Sequence, residues 1–323
     1  MKKIVMVVII ISLIVAVARV EMFWQDAQHQ VYPDRGDYDF YLESCNNMPP
    51  HEHPVVPAIL HIVNFVLRNP DASVLLLMMI AFASVSILVF SFTHLTTGNI
   101  YASLYSFFIM IISVPNFLSP TALKNIVGIA FLLLSLTLLQ LFIKTRCKKH
   151  LAFLVTSSVL TCLTHSLPII GLLAVFAAYA FQWRKIVVLF GGLTLLFLAT
   201  LALTGRLYKL ELTLRFLNIS TLTYNLNRLS TTWIMAPYLA LFLVTTGFGF
   251  IHQLWTKRFN PIFTGLDGSA IALLLCGLPP FAGRLYVTTI PLLAVLCGLT
   301  MHFSMEHVVK GDLKNEGALD KPA

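Results

Sequence analysis

Five carboxylates, Asp34, Asp37, Asp39, Glu43 and Glu52, fall within one stretch, PDRGDYDFYLESCNNMPPHEHP, out of fourteen acids in all 323 residues. Acids gathered in this way serve as general bases or hold a divalent cation through hard oxygen ligands. Asp37 and Asp39 are the candidates for both roles, and Glu52 is a third candidate for the catalytic one. At a membrane boundary such a carboxylate is partly desolvated, which raises its pKa and makes it a better base near neutrality. The competing reading is a solvated acidic loop around a tight DRGD turn. His51 and His53 stand beside these acids among prolines. Two imidazoles one residue apart, with no third ligand fixed by helix spacing, fall short of a zinc set.

Cations are expected at the same level. Lys124 opens the fourth apolar run, His165 closes the fifth and Arg284 opens the tenth. Arg68 ends an amphipathic stretch, and Arg215 lies in a second polar segment at 205–231. Cations and acids collected at one depth suit a phosphate-bearing substrate. Three of these also have a plainer reading: His165 as a helix cap, and Lys124 and Arg284 as side chains snorkelling to headgroups.

The elements that must position these groups are apolar helices. The chain is 58% hydrophobic and 11% charged, with a mean hydropathy of +0.83, whereas a soluble domain carries about 25% charged residues. Apolar runs of roughly 17–25 residues recur, long enough to cross a bilayer as helices and lacking the alternation of barrel strands. The pattern predicts an all-α polytopic membrane protein of about ten crossings, one domain over 1–305 and a polar cytoplasmic tail at 306–323. The first run, 1–20, reads either as a leader with a cleavage site at Ala16-Val17-Ala18 or as a retained helix, and the nine later spans favour retention. Spans follow at about 72–92, 99–114, 122–143, 151–165, 168–181, from 184 to about 204, up to about 252, 265–278 and 285–303, with outer loops at about 21–71 and 205–231. Residues 55–69 form an amphipathic helix whose polar stripe is His61, Asn64 and Arg68, suited to lying in the interface. KLELTLRFL, in the second outer loop, alternates well enough for a strand or an interfacial helix.

Basic clusters at 144–149, 184–185 and 257–258 then face the cytoplasm, as the positive-inside rule requires, and both termini are expected there. The net charge of +8 therefore reflects topology. A nucleic-acid partner would need a continuous basic surface with interleaved aromatics, which is missing. The five cysteines show no CxxC spacing, which argues against a disulfide framework. The absence of Walker A, GxGxxG and GxSxG patterns removes the usual signs of ATP, dinucleotide or α/β-hydrolase chemistry.

In order, the chain offers GDYDFYLE, then HEHPVVPAILHIVNFV, Leu123-Lys124-Asn125 opening a helix that reaches Ala130, KTRCKKHLAFLVTSSVLTCLTHS and PFAGRLYVTTIPLL. Over residues 1–303 this succession resembles the EpsG/Wzy-like membrane polysaccharide polymerases, which share an architecture with GT-C glycosyltransferases. Lys124 stands where that family generally has arginine. The resemblance implies an enzyme of the bacterial inner membrane, its site facing the periplasm or exterior, that joins polyprenyl-diphosphate-linked sugars to a glycan acceptor. In that reaction Asp37 or Asp39 takes the acceptor hydroxyl proton. Arg284, Lys124 and Arg68 balance the leaving diphosphate, and His165 orients an acceptor or a phosphate oxygen. Two other readings stay open: a GT-C enzyme adding one sugar from a polyprenyl-phosphate donor, and a transporter or flippase of lipid-linked glycans. Transporters commonly show repeated halves and midplane sites, and no convincing halves are seen here.

Overall fold

The computed structural model describes residues 2–28, 36–47, 54–113, 123–180, 184–203, 236–256, 261–276 and 289–305, and among these every regular element is a helix. In chain order these are α1 (Lys2–Gln28), α2 (Gly36–Asn46), α3 (Val55–Leu67), α4 (Pro70–Thr97), α5 (Ile100–Ser113), α6 (Leu123–Thr145), α7 (Lys148–Thr164), α8 (Ser166–Ala180), α9 (Arg184–Leu203), α10 (Ala236–Thr256) and α11 (Pro261–Cys276). A final helix, α12, covers Thr289–Met305. Three stretches, Lys2–Met22, Pro70–Thr97 and Leu123–Thr145, are long and apolar enough to cross a membrane, and Ile100–Ile112, Pro168–Tyr179, Val187–Thr200 and Thr289–Met305 are shorter apolar helices. They are compatible with insertion into a lipid bilayer.

Within 21–71 the described residues are mostly helical: the end of α1, then α2, and α3 along the amphipathic stretch expected at 55–69. Of the DRGD stretch, Gly36 and Asp37 begin α2, while Asp34 and Arg35 lie outside the described residues. Asp39, within its first four residues, complements the positive end of the helix dipole, and its aromatic residues find a buried surface.

Helices α4 and α6 form the centre. Helix α4 packs against α1, α5 and α6, and α6 packs in turn on α7 and α8, with α8 continuing to α9 and α11. Helix α1 lies at the periphery, with Met6, Ile10, Ile14 and Val17 exposed, as suits a helix bordered by lipid. Inside, short polar side chains tie neighbours together. Thr93 Oγ1 donates to Ser106 Oγ at 3.1 Å, Ser135 Oγ to Ser157 Oγ at 2.9 Å, and Gln140 Nε2 to Tyr179 Oη at 2.7 Å. Such bonds matter between apolar helices because lipid supplies no hydrophobic drive for association.

Helix α12 closes the bundle. At Gly298 it approaches so near that a Cβ would lie 2.7 Å from the Ala102 carbonyl oxygen and 2.9 Å from Thr93 Cγ2. At its far end Phe303 meets His252 of α10 and Phe263 of α11, with ring centroids 4.6 Å and 5.1 Å apart. The bundle therefore has two distinct ends. One carries α2, the start of α4 and the start of α6. The other carries the ends of α4 and α12, linked where Asn99 Nδ2 reaches Met305 Sδ at 4.0 Å, and the end of α6, where Lys144 Nζ donates to the Leu95 carbonyl.

Candidate functional site

Helix α2 brackets the first of these ends, and its aromatic residues make the joints. Tyr38, 6% exposed, donates its hydroxyl to Asp71 Oδ1 at 2.6 Å. Asp71 belongs to a well-formed helix start: the Asn69 side chain caps α4 by accepting from the Ala72 N–H at 3.1 Å, Pro70 follows, and Asp71 lies in the first turn. An acid there meets the positive end of the helix dipole. Tyr41, 1% exposed, accepts the backbone N–H of Lys124 at 3.4 Å. The half-buried Lys124 side chain turns back, with Nζ 4.0 Å from the Phe40 ring centroid and 5.6 Å from that of Tyr41. Both distances lie within the reach of a cation–π attraction. GDYDFYLE thus holds α2 to α4 and α6 through Tyr38, Phe40 and Tyr41.

The other end of α2 is capped by α3. The Cys45 carbonyl oxygen lies 3.2 Å from His61 Nδ1 and accepts from Asn64 Nδ2, also at 3.2 Å. These side chains satisfy a carbonyl that the last turn of a helix leaves unpaired. The buried Cys45 thiol donates to the Pro70 carbonyl at 3.7 Å. Burial first, and then the nearby Asp71 charge, push that thiol up to about 11. Two members of the polar stripe on α3 are therefore spent on the protein, while Ile62, Phe65 and Val66 lie bare, Phe65 at 82% exposure. A helix displaying such a face while its polar side is bound suits the boundary between lipid and water.

The expected site residues separate into groups. Lys124 is at this end and built into the bracket. His165 is half-buried at the junction of α7 and α8, with an extended backbone and its N–H bonded to the Thr161 carbonyl at 3.5 Å. This junction adjoins the first turns of α6, where a Cβ on Gly128 would lie 2.6 Å from Pro168 Cγ. Asp39 is exposed on α2, and Asp37 stands two positions before it. Arg68 is exposed at the end of α3 in the left-handed region, φ 53°, its N–H bonded to the Asn64 carbonyl at 2.7 Å. Glu52, Arg215 and Arg284 lie outside the described residues, as do His51, His53 and the segment 205–231. No group of three or more potential metal ligands occurs among the described residues.

Three polar residues escaped the reading of the sequence. Asp71 was signalled by Asn-Pro-Asp, a helix start. Asn125, one residue beyond Lys124, is 2% exposed, and its Oδ1 has no hydrogen-bond partner among the described residues. Asp267 is a lone acid inside an apolar helix, a signal in its own right because ionisable groups there are rare and usually functional.

Chemically, the α2 end offers a half-buried ammonium against two aromatic rings, an acceptor oxygen on Asn125, an imidazole at the neighbouring helix junction and exposed acid on α2. A protein-family model, a curated protein and a solved structure were each sought as a match to the chain, and none matches.

Proposed function

We propose that the chain is a multi-pass bacterial inner-membrane glycosyltransferase of the polysaccharide-polymerase type, with about ten crossings, both termini cytoplasmic and the α2 end facing outward. Lys124 is the observation that carries the reading. A cation is fixed by aromatic rings at the end of the bundle that also presents α2 acids and His165. A fixed positive charge in partly desolvated surroundings is what a departing diphosphate requires, and such electrostatic stabilisation is usually the largest contribution to catalysis.

In this reaction an acceptor hydroxyl attacks the anomeric carbon of a polyprenyl-diphosphate sugar. The new C–O bond forms as the bond to the diphosphate breaks, and the proton passes to Asp37 or Asp39, with Glu52 the third candidate. Lys124, Arg68, Arg215 and Arg284 share the leaving charge, and His165 orients an oxygen. The bare apolar face of α3 suits a site whose substrate arrives on a lipid. The basic loop with Lys144, Arg146, Lys148 and Lys149 then meets the cytoplasm.

The test is glycan synthesis by purified protein supplied with lipid-linked donor and acceptor. Asp37→Asn and Arg284→Ala are each expected to abolish product without lowering membrane abundance, and full activity in both would reject the site. A product longer by a single sugar would replace polymerisation with single transfer. Reporter fusions at residues 40 and 147 should read opposite sides of the membrane.

A further inference from the structure

Asp267 takes no part in the chemistry at the α2 end. It lies in the second turn of α11, about 9 Å along the axis from Pro261. The residue is 8% exposed, and Oδ1 has no hydrogen-bond partner among the described residues. Helix α10 passes it at Gly249, where an added Cβ would lie 3.2 Å from Oδ2. A turn away along α11, Thr264 Oγ1 donates to Gln253 Oε1 at 2.8 Å, and the His252 ring packs against Phe263 and Phe303.

Among the described residues the surrounding helices carry no lysine or arginine to serve as a counter-charge. Within their bounds α8, α10 and α12 contain no Lys, Arg, Asp or Glu, and Asp267 is the single such residue of α11. The other titratable side chains on those elements are Tyr238 and His252 of α10, Cys297 and His302 of α12, Tyr179 of α8 and Cys276 at the end of α11. The Tyr179 hydroxyl accepts from Gln140. The His302 ring packs on Phe303 with centroids 5.4 Å apart, and the Cys297 thiol is buried. An ionised carboxylate in such surroundings is costly unless a positive charge joins it, and intramembrane acids commonly mark ion pathways and proton relays.

We propose that Asp267 binds one positive charge drawn from solution, a proton or an alkali-metal ion, within the end of the bundle that carries the Lys144–Lys149 loop. That position follows from the α12 end: Phe303 joins α10 and α11 there, and Met305 meets Asn99. The inference takes α8, α10, α11 and α12 as membrane-embedded and stands apart from the sugar chemistry.

Dicyclohexylcarbodiimide tests it in the full-length protein in lipid nanodiscs. A protonated carboxyl adds across one C=N bond, and the O-acyl adduct rearranges to a stable N-acylurea, so the peptide gains the mass of the reagent. In choline buffer the peptide containing Asp267 is expected to be labelled, and Asp267→Asn to lose that adduct. If the bound charge is a proton, labelling falls as pH rises and ignores alkali salts. If it is an alkali-metal ion, sodium or potassium chloride protects Asp267 at fixed pH. Either pattern supports the proposal. It is overturned if the wild-type peptide stays unlabelled in choline from acidic to neutral pH, or is labelled equally at every pH and salt composition. Because the adduct is mapped on the wild-type chain, the test holds even where the variant does not fold.

Discussion

Replacing Lys124 by methionine separates two roles that the geometry assigns to one side chain. Its ammonium lies 4.0 Å from the Phe40 ring centroid and 5.6 Å from that of Tyr41. A cation over an aromatic ring contributes about 0.5–1 kcal/mol when exposed and about 2 kcal/mol when desolvated. Lys124 is half-buried and the second ring is near the limit of reach, so about 1–1.5 kcal/mol is at stake for the fold. Methionine keeps the aliphatic stem, and the Tyr41 bond to the backbone N–H survives because it involves no side chain of residue 124. The expected loss of thermal stability in detergent is small, about 2–5 °C. Loss of a charge that stabilises a departing diphosphate is larger, about 3–4 kcal/mol or 10²–10³-fold in rate. Lys124→Arg should restore most of both. The assay pairs unfolding by intrinsic fluorescence with rates of product formation from lipid-linked sugar. If the methionine variant unfolds as expected yet keeps its rate within about threefold, Lys124 is part of the α2 bracket alone and the catalytic reasoning fails.

Further outcomes test the surrounding structure. Asn64→Ala removes a donor to the Cys45 carbonyl and should cost about 1 kcal/mol, read as a lower unfolding temperature, whereas Phe65→Ser on the bare face should change detergent stability by less than about 0.5 kcal/mol. Gly298→Ala drives a methyl group into the Ala102 carbonyl and should destabilise by about 1–3 kcal/mol, seen in melting and membrane abundance. Cys45, buried and pushed up to about 11, should react with maleimide far more slowly near neutrality than the half-buried Cys147. The sign of the linkage follows from the raised value: this thiol costs nothing below about 9, and its contribution to stability is lost as pH rises from there towards 11, because the unfolded thiol ionises first.

The sequence by itself determined that the chain folds as apolar helices and where many of them run. It also contained the α3 helix, the Asn-Pro-Asp start of α4 and the Lys124 position, because caps and periodicity are local properties. Only the tertiary structure decided what each polar group faces. Helices such as α4 and α6 are apolar nearly all round, so their sequences do not specify which side meets a neighbour. That choice is made by close contacts, such as Gly298 against α4 and α5. For the same reason the aspartates of GDYDFYLE drew attention while its aromatics proved to hold the bracket. His61 and Asn64, which read as an exposed stripe, cap α2. Asp267 is one letter in an apolar run until packing buries it among helices that contain no lysine or arginine.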